Sequence, residues 1–398
     1  MSEIYFENIQ VNLGRIEIRC RSFDDSLNIN DLLFFELSED ILVTHNQIAI
    51  ALATLCGVKY DKIFMDLEIN KNIFEDIQKF TNSEIMVNKV LTDEIIYDFS
   101  ENNIMLGFSG GFDSLAAYCL LNDPNFFDNL YLTSLDFQGV FAREEKFFKL
   151  FKPFTVKSNF VELKLNRNHW TFMYIPQIFF CIHLNAKYVS LSGILESGSY
   201  GLDEKLSLSK TTNDVPISFL NMKIIPFLQG LTEVGTAQII LHFRPELVDL
   251  SLKSLANPGE EKRYRKQLLT KIVADKFNKR VFYEEVGEGT KEKWGAHFTP
   301  DFLSLYFIKH VGFDEASKMV NNIPSEAIDM ANSLSLDFYG KFNNNFLNVI
   351  PDEYKSKFLQ RLAMADIYPY NSNDWEEFRI LAKFFSQYYE DLKRRLGL

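Results

Sequence analysis

The chain has 398 residues, of which 46% are hydrophobic and 24% are charged, so it is long enough for two or three domains and too apolar for wholesale disorder. Its 54 acidic residues outnumber 42 Lys and Arg residues and give a net charge of −12. A chain this acidic repels phosphate on average, which argues against general binding to nucleic acid or to an anionic membrane.

The N-terminal residues and the cysteines predict a cytoplasmic protein. Residues 1–9 contain no long apolar run, so we expect no signal peptide, and no segment reaches the length of a membrane span. The cysteines lie far apart and lack the C-x-x-C spacing of a disulfide framework or a zinc site; they are Cys20, Cys56, Cys119 and Cys181. We expect reduced thiols, no zinc site, and core positions for Cys119 and Cys181.

The predicted elements change character twice along the chain. Residues 1–98 predict an α+β module, with alternating segments at 4–11 and 14–20 that read as paired strands. Residues 99–255 alternate strands with helices, which predicts an α/β domain with a Rossmann-like parallel sheet covered on both faces. Residues 256–398 predict a mostly helical C-terminal domain.

The central segment carries most of the predicted elements. Apolar runs predict strands at 104–108, 130–135, 159–165, 187–194 and 222–227. Helical periodicity predicts helices at 113–121, 143–151 and 170–185. Ligands on such sheets bind outside the carboxyl ends of the strands, so the functional residues should follow the strands.

The most specific motif follows the first of these strands and reads Ser109-Gly110-Gly111-Phe112-Asp113-Ser114. Two glycines permit a tight turn that exposes backbone N–H groups to an anion, and the next helix directs its positive end to the same place. The two serine hydroxyls can donate to phosphate oxygens. Asp113 fits this setting if it positions a Mg²⁺ ion against the phosphate. The structural alternative is a strand-to-helix turn with a Ser or Asp cap.

This segment resembles the pyrophosphate-binding loop (PP-loop) of the ATP pyrophosphatases, whose signature is S-G-G-x-D-S. The superfamily includes the synthetase part of GMP synthetase, asparagine synthetase and 7-cyano-7-deazaguanine synthase. The resemblance implies a PP-loop type of Rossmann-like fold and an enzyme that needs ATP and Mg²⁺. Its members cleave ATP between the α and β phosphates and adenylate a carboxylate or carbonyl oxygen. It also implies that residues 109–114 bind the phosphates, with Asp113, Ser109 and Ser114 as the catalytic residues.

Further segments resemble 7-cyano-7-deazaguanine synthase over residues 103 to about 240. The resemblance implies that backbone near Asp136 and Gly193 holds adenine, and that Glu196 and Tyr200 face the substrate. That family carries a four-cysteine zinc site near its end, whereas this chain has no cysteine after Cys181. We therefore expect a divergent relative without zinc that acts on another acceptor, in base or macromolecule modification or in bacterial antiphage defence.

A basic run in this acidic chain predicts a helix over residues 260–279. On a helix, residues 262, 265 and 266 share one face. That face predicts a clamp for the triphosphate or for a substrate phosphate, formed by Lys262, Arg263, Arg265 and Lys266. The alternatives are a solvated helix whose charges pair with surplus carboxylates, and a face that binds tRNA.

Together these patterns predict an ATP-dependent, AMP- and pyrophosphate-forming enzyme in which an amine or ammonia displaces AMP from the activated acceptor. The acceptor is a small-molecule or macromolecular carboxylate or carbonyl compound, with a protein partner from a neighbouring gene as one option. Two alternatives stay open: a nucleotide-binding scaffold that has lost turnover, and an amide ligase like asparagine synthetase.

Overall fold

The computed structural model describes residues 2–23, 28–137, 143–204 and 215–398. The chain divides into two compact units, of which the first comprises Met1–Ser109, Phe127–Ser190 and Leu208–Ile224, and the second Gly110–Phe126, Leu191–Ser207 and Ile225–Leu398. This grouping differs from the predicted segments 1–98, 99–255 and 256–398, and the three-domain division stays a prediction.

The elements follow one another in a mixed α/β order. The strands are β1 (Glu3–Asn12), β2 (Arg15–Phe23), β3 (Ile29–Leu37), β4 (Lys62–Asn70), β5 (Glu84–Leu91), β6 (Asn103–Gly107), β7 (Leu130–Asp136), β8 (Phe154–Ser158), β9 (Ala186–Ser190), β10 (Lys223–Ile224), β11 (Glu292–Lys293) and β12 (Val320–Asn321). The α-helices are α1 (His45–Cys56), α2 (Lys71–Thr81), α3 (Phe112–Leu121), α4 (Glu145–Phe151), α5 (Ile175–Phe180), α6 (Glu233–Phe243), α7 (Val248–Leu255), α8 (Glu261–Lys276), α9 (Phe298–Val311), α10 (Phe313–Ala316), α11 (Ser325–Ser333), α12 (Asp352–Met364), α13 (Ser372–Phe385) and α14 (Glu390–Leu396).

One large sheet organises the first unit. Among the described residues it contains ten strands in the order β10-β9-β6-β7-β8-β3-β2-β1-β4-β5. The neighbours from β10 to β8 are parallel, as are β1 with β4 and β4 with β5, whereas β8, β3, β2 and β1 pair in antiparallel fashion. The predicted α/β class with a mostly parallel central sheet is therefore confirmed, in an arrangement compatible with a Rossmann-like fold. The predicted pairing of the first two strands is confirmed too.

The strand β6 occupies the topological switch point of the parallel part of the sheet. Its neighbours are β7 on one side and β9 on the other, so the chain leaves β6 toward one side and fills the other side later. Open α/β sheets bind ligands outside the carboxyl ends of the strands at such a point. The carboxyl end of β6 is Gly107, two residues before Ser109.

Two predicted elements of the first unit are wrong. The strand predicted at 159–165 is a turn ending in a 3₁₀ helix, and the strand is β8, five residues earlier. Asn159 explains the difference, since its side chain accepts from Phe34 N and donates to Leu32 O, which replaces the strand ladder at that point. The helix predicted at 170–185 is α-helical only over α5, preceded by a 3₁₀ turn at Trp170–Tyr174.

Helix α1 belongs to the first unit, and every one of its residues after His45 is buried. Thr44 begins it with a capping box, in which the Thr44 side chain accepts from Gln47 N and the Gln47 side chain accepts from Thr44 N. The same Gln47 side chain donates through Nε2 to the carbonyls of Ile178 and Phe179, at 2.6 and 3.1 Å. One glutamine thus starts α1 and joins it to α5.

We expect Gln47→Ala to lower the free energy of unfolding by roughly 1–3 kcal/mol, because buried carbonyls then lose their donor. Urea denaturation measures the effect. Gln78→Ala, at an exposed position of α2, is the control and should change stability by no more than about 0.5 kcal/mol. Equal effects of the two changes would contradict this role of Gln47.

The second unit is mostly helical in the residues that the structure describes. It contains α3 and α6 to α14, with the short parallel pair β11–β12. No helix in the described part of the chain combines the length and the apolar character needed to cross a bilayer. All four cysteines of the chain are buried, as predicted for Cys119 and Cys181, and burial raises the pKa of each thiol.

Asp301 of α9 is a fully buried carboxyl group in this unit. Its Oδ2 accepts from Gly295 N and from the Tyr389 hydroxyl, each at 2.6 Å. Its Oδ1 has no hydrogen-bond partner among the described residues. Burial raises the pKa of Asp301 to about 6, although these two hydrogen bonds act in the opposite direction.

The raised pKa predicts a pH-dependent contribution of Asp301 to stability. The folded state binds this proton more tightly than the unfolded state, whose pKa is near 4, so the contribution is complete below about pH 4 and is lost as the pH rises through 6. Between pH 4 and 7 the wild type should lose roughly 3 kcal/mol relative to Asp301→Asn, at about 1.4 kcal/mol per pKa unit. Urea denaturation at several pH values tests this. The exposed control Asp314→Asn should show no such trend, and a pH-independent difference for Asp301→Asn would contradict the assignment.

Candidate functional site

The glycine turn has the predicted strand before it and the predicted helix after it. Ser109 is the last residue of the first unit's first segment, and Gly110 is the first residue of the second unit's first segment. Gly110 has a φ of +77°, which L side chains rarely adopt, and Gly111 is the N-cap of α3. Phe112, the first helical residue, is buried. The turn therefore places the positive end of a ten-residue helix directly after two glycines.

Serine hydroxyls hold the carbonyl groups of both glycines. Ser114 Oγ donates to Gly111 O at 3.0 Å, and Ser251 Oγ of α7 donates to Gly110 O at 2.8 Å. Ser114, predicted to donate to phosphate, thus has a structural partner within the turn. The Ser251 contact fixes the turn from outside the motif, and no sequence pattern had indicated that residue.

Asp113 belongs to a group of five ionisable side chains within the second unit, here named the charged cluster: Asp113, Glu233, Glu261, Arg265 and Lys266. Lys266 Nζ lies 3.0 Å from Asp113 Oδ1 and 3.2 Å from Glu233 Oε1. Arg265 Nη1 pairs with Glu233 Oε2, and Arg265 Nε donates to Glu261 Oε1 at 2.6 Å. Three helices supply these residues, with Asp113 and Glu233 in the first turns of α3 and α6 and the others on α8.

The charged cluster is buried except at Asp113. The side chain of Asp113 is 28% exposed, whereas those of Glu233, Arg265 and Lys266 are at most 5% exposed. Lys266 Nζ also lies 5.4 Å from the centre of the Phe112 ring, within the range of a cation–π contact. Solvent therefore reaches the cluster mainly at the carboxylate that follows the glycine turn.

The pKa shifts show that the cluster is held together by charge. Burial alone would raise the pKa of Glu233, but Arg265 and Lys266 more than offset it, and the pKa is lowered. Burial alone would lower the pKa of Lys266, but Asp113 and Glu233 reverse the effect, and the pKa is raised. Their neighbours thus hold Glu233 and Lys266 in their charged forms, whereas burial raises the pKa of Glu261.

A further carboxyl group, that of Glu196, binds the backbone N–H of Glu233. Glu196 Oε1 accepts from Glu233 N at 2.6 Å, at the start of α6, and Thr299 Oγ1 donates to Glu196 O. Burial and the nearby charge of Glu233 raise the pKa of Glu196. Glu196, predicted to face the substrate, is fully buried and caps a helix.

The basic run forms the predicted helix, as α8, but its charges are not spread over a solvated face. Arg263, Arg265 and Lys266 are buried, so the alternative of a solvated helix is wrong for these three residues. Arg265 and Lys266 face carboxylates, and Arg263 Nε and Nη1 have no hydrogen-bond partner in the part of the chain that is described. Lys262 is exposed by its surface area, yet burial of its ammonium lowers its pKa, and the charge of Asp113 partly opposes that shift.

The remaining predicted site residues are not part of the cluster. Asp136 ends β7 in the first unit, where it is half-buried, and burial raises its pKa. Gly193 follows β9 by three residues, and a Cβ placed there would meet no described atom within 4 Å. Tyr200 lies under the guanidinium of Arg395, 5.9 Å from its ring centre. Their predicted contacts with adenine and substrate stay predictions.

Sequence reasoning missed Glu233, Glu261 and Thr236. Thr236 Oγ1 lies 3.3 Å from Asp113 Oδ1 and 3.0 Å from the carbonyl of Glu233. The spacing of Glu261 and Arg265 is that of a helical ion pair and could have indicated their contact. Nothing local to Glu233 or Thr236 indicated that they lie beside a residue more than a hundred positions earlier.

Comparisons with known proteins do not supply an identity. A scan against protein-family models found no match, and searches of the curated proteins and of the solved structures found no similar protein.

We expect Arg265→Met to lower the free energy of unfolding by about 3–5 kcal/mol, because Glu233 and Glu261 then keep buried charge without this partner. Urea denaturation measures the loss. Lys276→Met, at an exposed position of the same helix, should cost at most about 1 kcal/mol. A small, equal effect of both changes would show that the Arg265 ion pairs do not hold the cluster.

Proposed function

We propose that the protein is an ATP-dependent enzyme that releases pyrophosphate and transfers AMP to a carboxylate or carbonyl oxygen of its substrate. An amine or ammonia then attacks the activated carbon and displaces AMP. The observation that carries this proposal is the glycine turn with a partly exposed Asp113, which follows the strand at the switch point of a parallel sheet. Phosphate-binding turns of α/β proteins occupy this place.

The turn supplies the features that a pyrophosphate group needs. The helix α3 directs its partial positive charge toward Gly110 and Gly111, and the absence of Cβ atoms lets an anion approach the backbone closely. Lys262, an exposed residue one helical turn before Lys266 on α8, adds a positive charge on the same helix face. A helix N-terminus, two glycines and a lysine together suit an anion with several phosphate oxygens, such as pyrophosphate.

The donor set at this place fits Mg²⁺. Mg²⁺ in nucleotide sites is held by one or two carboxylates together with substrate phosphates, not by an all-protein cage. Asp113 is such a carboxylate, and in the described residues no group of three or more His, Cys, Asp or Glu side chains is arranged to hold a metal by itself. When bound, Mg²⁺ would neutralise charge that develops on the departing pyrophosphate.

The charged cluster has a supporting role in this proposal. Glu233 and Lys266 fix the side chain of Asp113, and Arg265 fixes Glu233 from the other side. Arg265 is thus a positioning residue here and not the phosphate ligand that the sequence predicted. Preorganised charge that need not rearrange during the reaction is usually the largest contribution to such catalysis.

In the chemical step, an oxygen of the substrate carboxylate attacks the α phosphorus, and the bond to the β,γ-pyrophosphate breaks. The nitrogen nucleophile then attacks the acyl carbon of the adenylate and displaces AMP, and its proton passes to solvent or a base. The resemblance to 7-cyano-7-deazaguanine synthase makes a cytoplasmic, deazaguanine-related or macromolecular acceptor part of the proposal, including a role in antiphage defence. This part rests on analogy.

One observation favours a second candidate function, that of a nucleotide-binding protein without turnover. Asp113 Oδ1 already has a cationic partner in Lys266, which would weaken its hold on a metal ion. A protein of this kind would bind ATP and leave it intact. Product analysis after prolonged incubation with ATP, Mg²⁺ and candidate carboxylic acids separates the two functions.

We expect Asp113→Asn to weaken binding of the Mg²⁺ complex of α,β-methylene-ATP, an analogue that cannot be cleaved between the α and β phosphates. The loss of a charged contact of about 1.5–3 kcal/mol corresponds to a roughly ten- to hundredfold weaker affinity. Calorimetric titration measures it.

Asp329→Asn is the matched control, since Asp329 is an exposed carboxylate on α11. It should bind the analogue and unfold like the wild type. Asp113→Asn removes one of the carboxylates that pair with Lys266 and should lower the melting temperature, so circular dichroism checks its fold before the titration. Undiminished binding to Asp113→Asn would remove the basis of the proposed function.

A further inference from the structure

The placement of Lys266 has a consequence for the form in which a metal ion can enter the site. Lys266 is completely buried, and its Nζ lies 3.0 Å from Asp113 Oδ1. Its Nζ also lies 3.2 Å from Glu233 Oε1 and 5.4 Å from the centre of the Phe112 ring, and these contacts hold the ammonium inside the charged cluster. Any cation that binds Asp113 therefore has a fixed positive charge beside it.

Two further sources of positive charge lie near Asp113. Lys262 is one helical turn before Lys266 on the same face of α8, next to the residue that pairs with Asp113. The N-terminus of α3 contributes a partial positive charge next to the same carboxylate. A free divalent cation at Asp113 thus meets three nearby sources of positive charge. The other two carboxylates of the charged cluster, Glu233 and Glu261, are buried and paired with Arg265 and Lys266.

A metal–pyrophosphate complex meets the opposite balance. Its net charge is negative, so Lys262 and the α3 N-terminus attract its phosphate oxygens while Asp113 reaches the metal ion. The metal ion binds Asp113 and the pyrophosphate binds the surrounding positive charges, so the two ligands are needed together.

We propose, building on the proposed function, that Lys266 is a positioning residue that makes the site selective for a divalent cation already bound to a polyphosphate. Lys266 holds Asp113 toward the turn and excludes the free metal ion. The site thus takes metal and pyrophosphate as one ligand, and a protein without nucleotide stays free of metal.

Mn²⁺ as the probe tests this inference, because its electron paramagnetic resonance signal measures the free ion directly. Titrations are made on the full chain with Mn²⁺ alone and with Mn²⁺ plus inorganic pyrophosphate. We expect the wild type to bind Mn²⁺ at least tenfold more tightly when pyrophosphate is present. In Lys266→Met, Mn²⁺ alone should bind about tenfold more tightly than in the wild type, and the gain from pyrophosphate should shrink.

Two further variants keep the test decisive. Lys262→Met changes an exposed residue and should shift the same ratio in the same direction by a smaller factor, even if Lys266→Met fails to fold. Lys276→Met, at the far end of α8, should behave like the wild type. A merely structural Lys266 would lower stability without changing the ratio of the two Mn²⁺ affinities.

The outcomes separate the two proposals. Binding of Mn²⁺ alone as tight as binding with pyrophosphate, or a ratio that none of the lysine variants changes, would overturn the selectivity while leaving a pyrophosphate site. Failure to bind pyrophosphate with or without Mn²⁺ would overturn the proposed function and the selectivity together.

Discussion

The buried ammonium of Lys266 is the interaction on which the rest of the site depends. A lysine without solvent access is stable as a cation only if carboxylates surround it, and Asp113 and Glu233 provide them. Glu233 in turn requires Arg265 on its other oxygen. Each of these groups would be costly to bury alone, so the stability of each depends on the others. Buried groups therefore set the position of Asp113, the carboxylate of the charged cluster that reaches solvent.

This dependence links the site to the fold of the second unit. Asp113 and Lys266 are 153 positions apart in the sequence and meet only because α3, α6 and α8 pack in one unit. The hydroxyl of Ser251, from α7, reaches the carbonyl of Gly110 and ties the glycine turn to the same unit. The turn, the carboxylate and the buried charges thus share one structural support, which is the arrangement that a preorganised anion site requires.

The sequence alone was sufficient for the elements whose signals are local. The glycine turn could be predicted with its strand and helix because Gly110, Gly111 and the apolar run before them constrain neighbouring backbone. The burial of α8 could not be predicted, since Arg265 and Lys266 have the same helical spacing whether they face water or distant carboxylates. The wrong prediction of a strand at 159–165 has a similar cause. The side chain of Asn159 hydrogen-bonds to the backbone of residues 32 and 34, more than a hundred positions away. Long-range polar contacts leave no periodic pattern.

A crystal structure of the protein with Mg²⁺ and α,β-methylene-ATP decides whether the glycine turn binds pyrophosphate. We expect the β and γ phosphates to lie against the N-terminus of α3 at Gly110 and Gly111, with the metal ion between them and Asp113. We also expect Lys266 to keep its contacts with Asp113 and Glu233 in that complex. A nucleotide bound elsewhere, or phosphates at the turn with no metal ion at Asp113, would contradict this expectation.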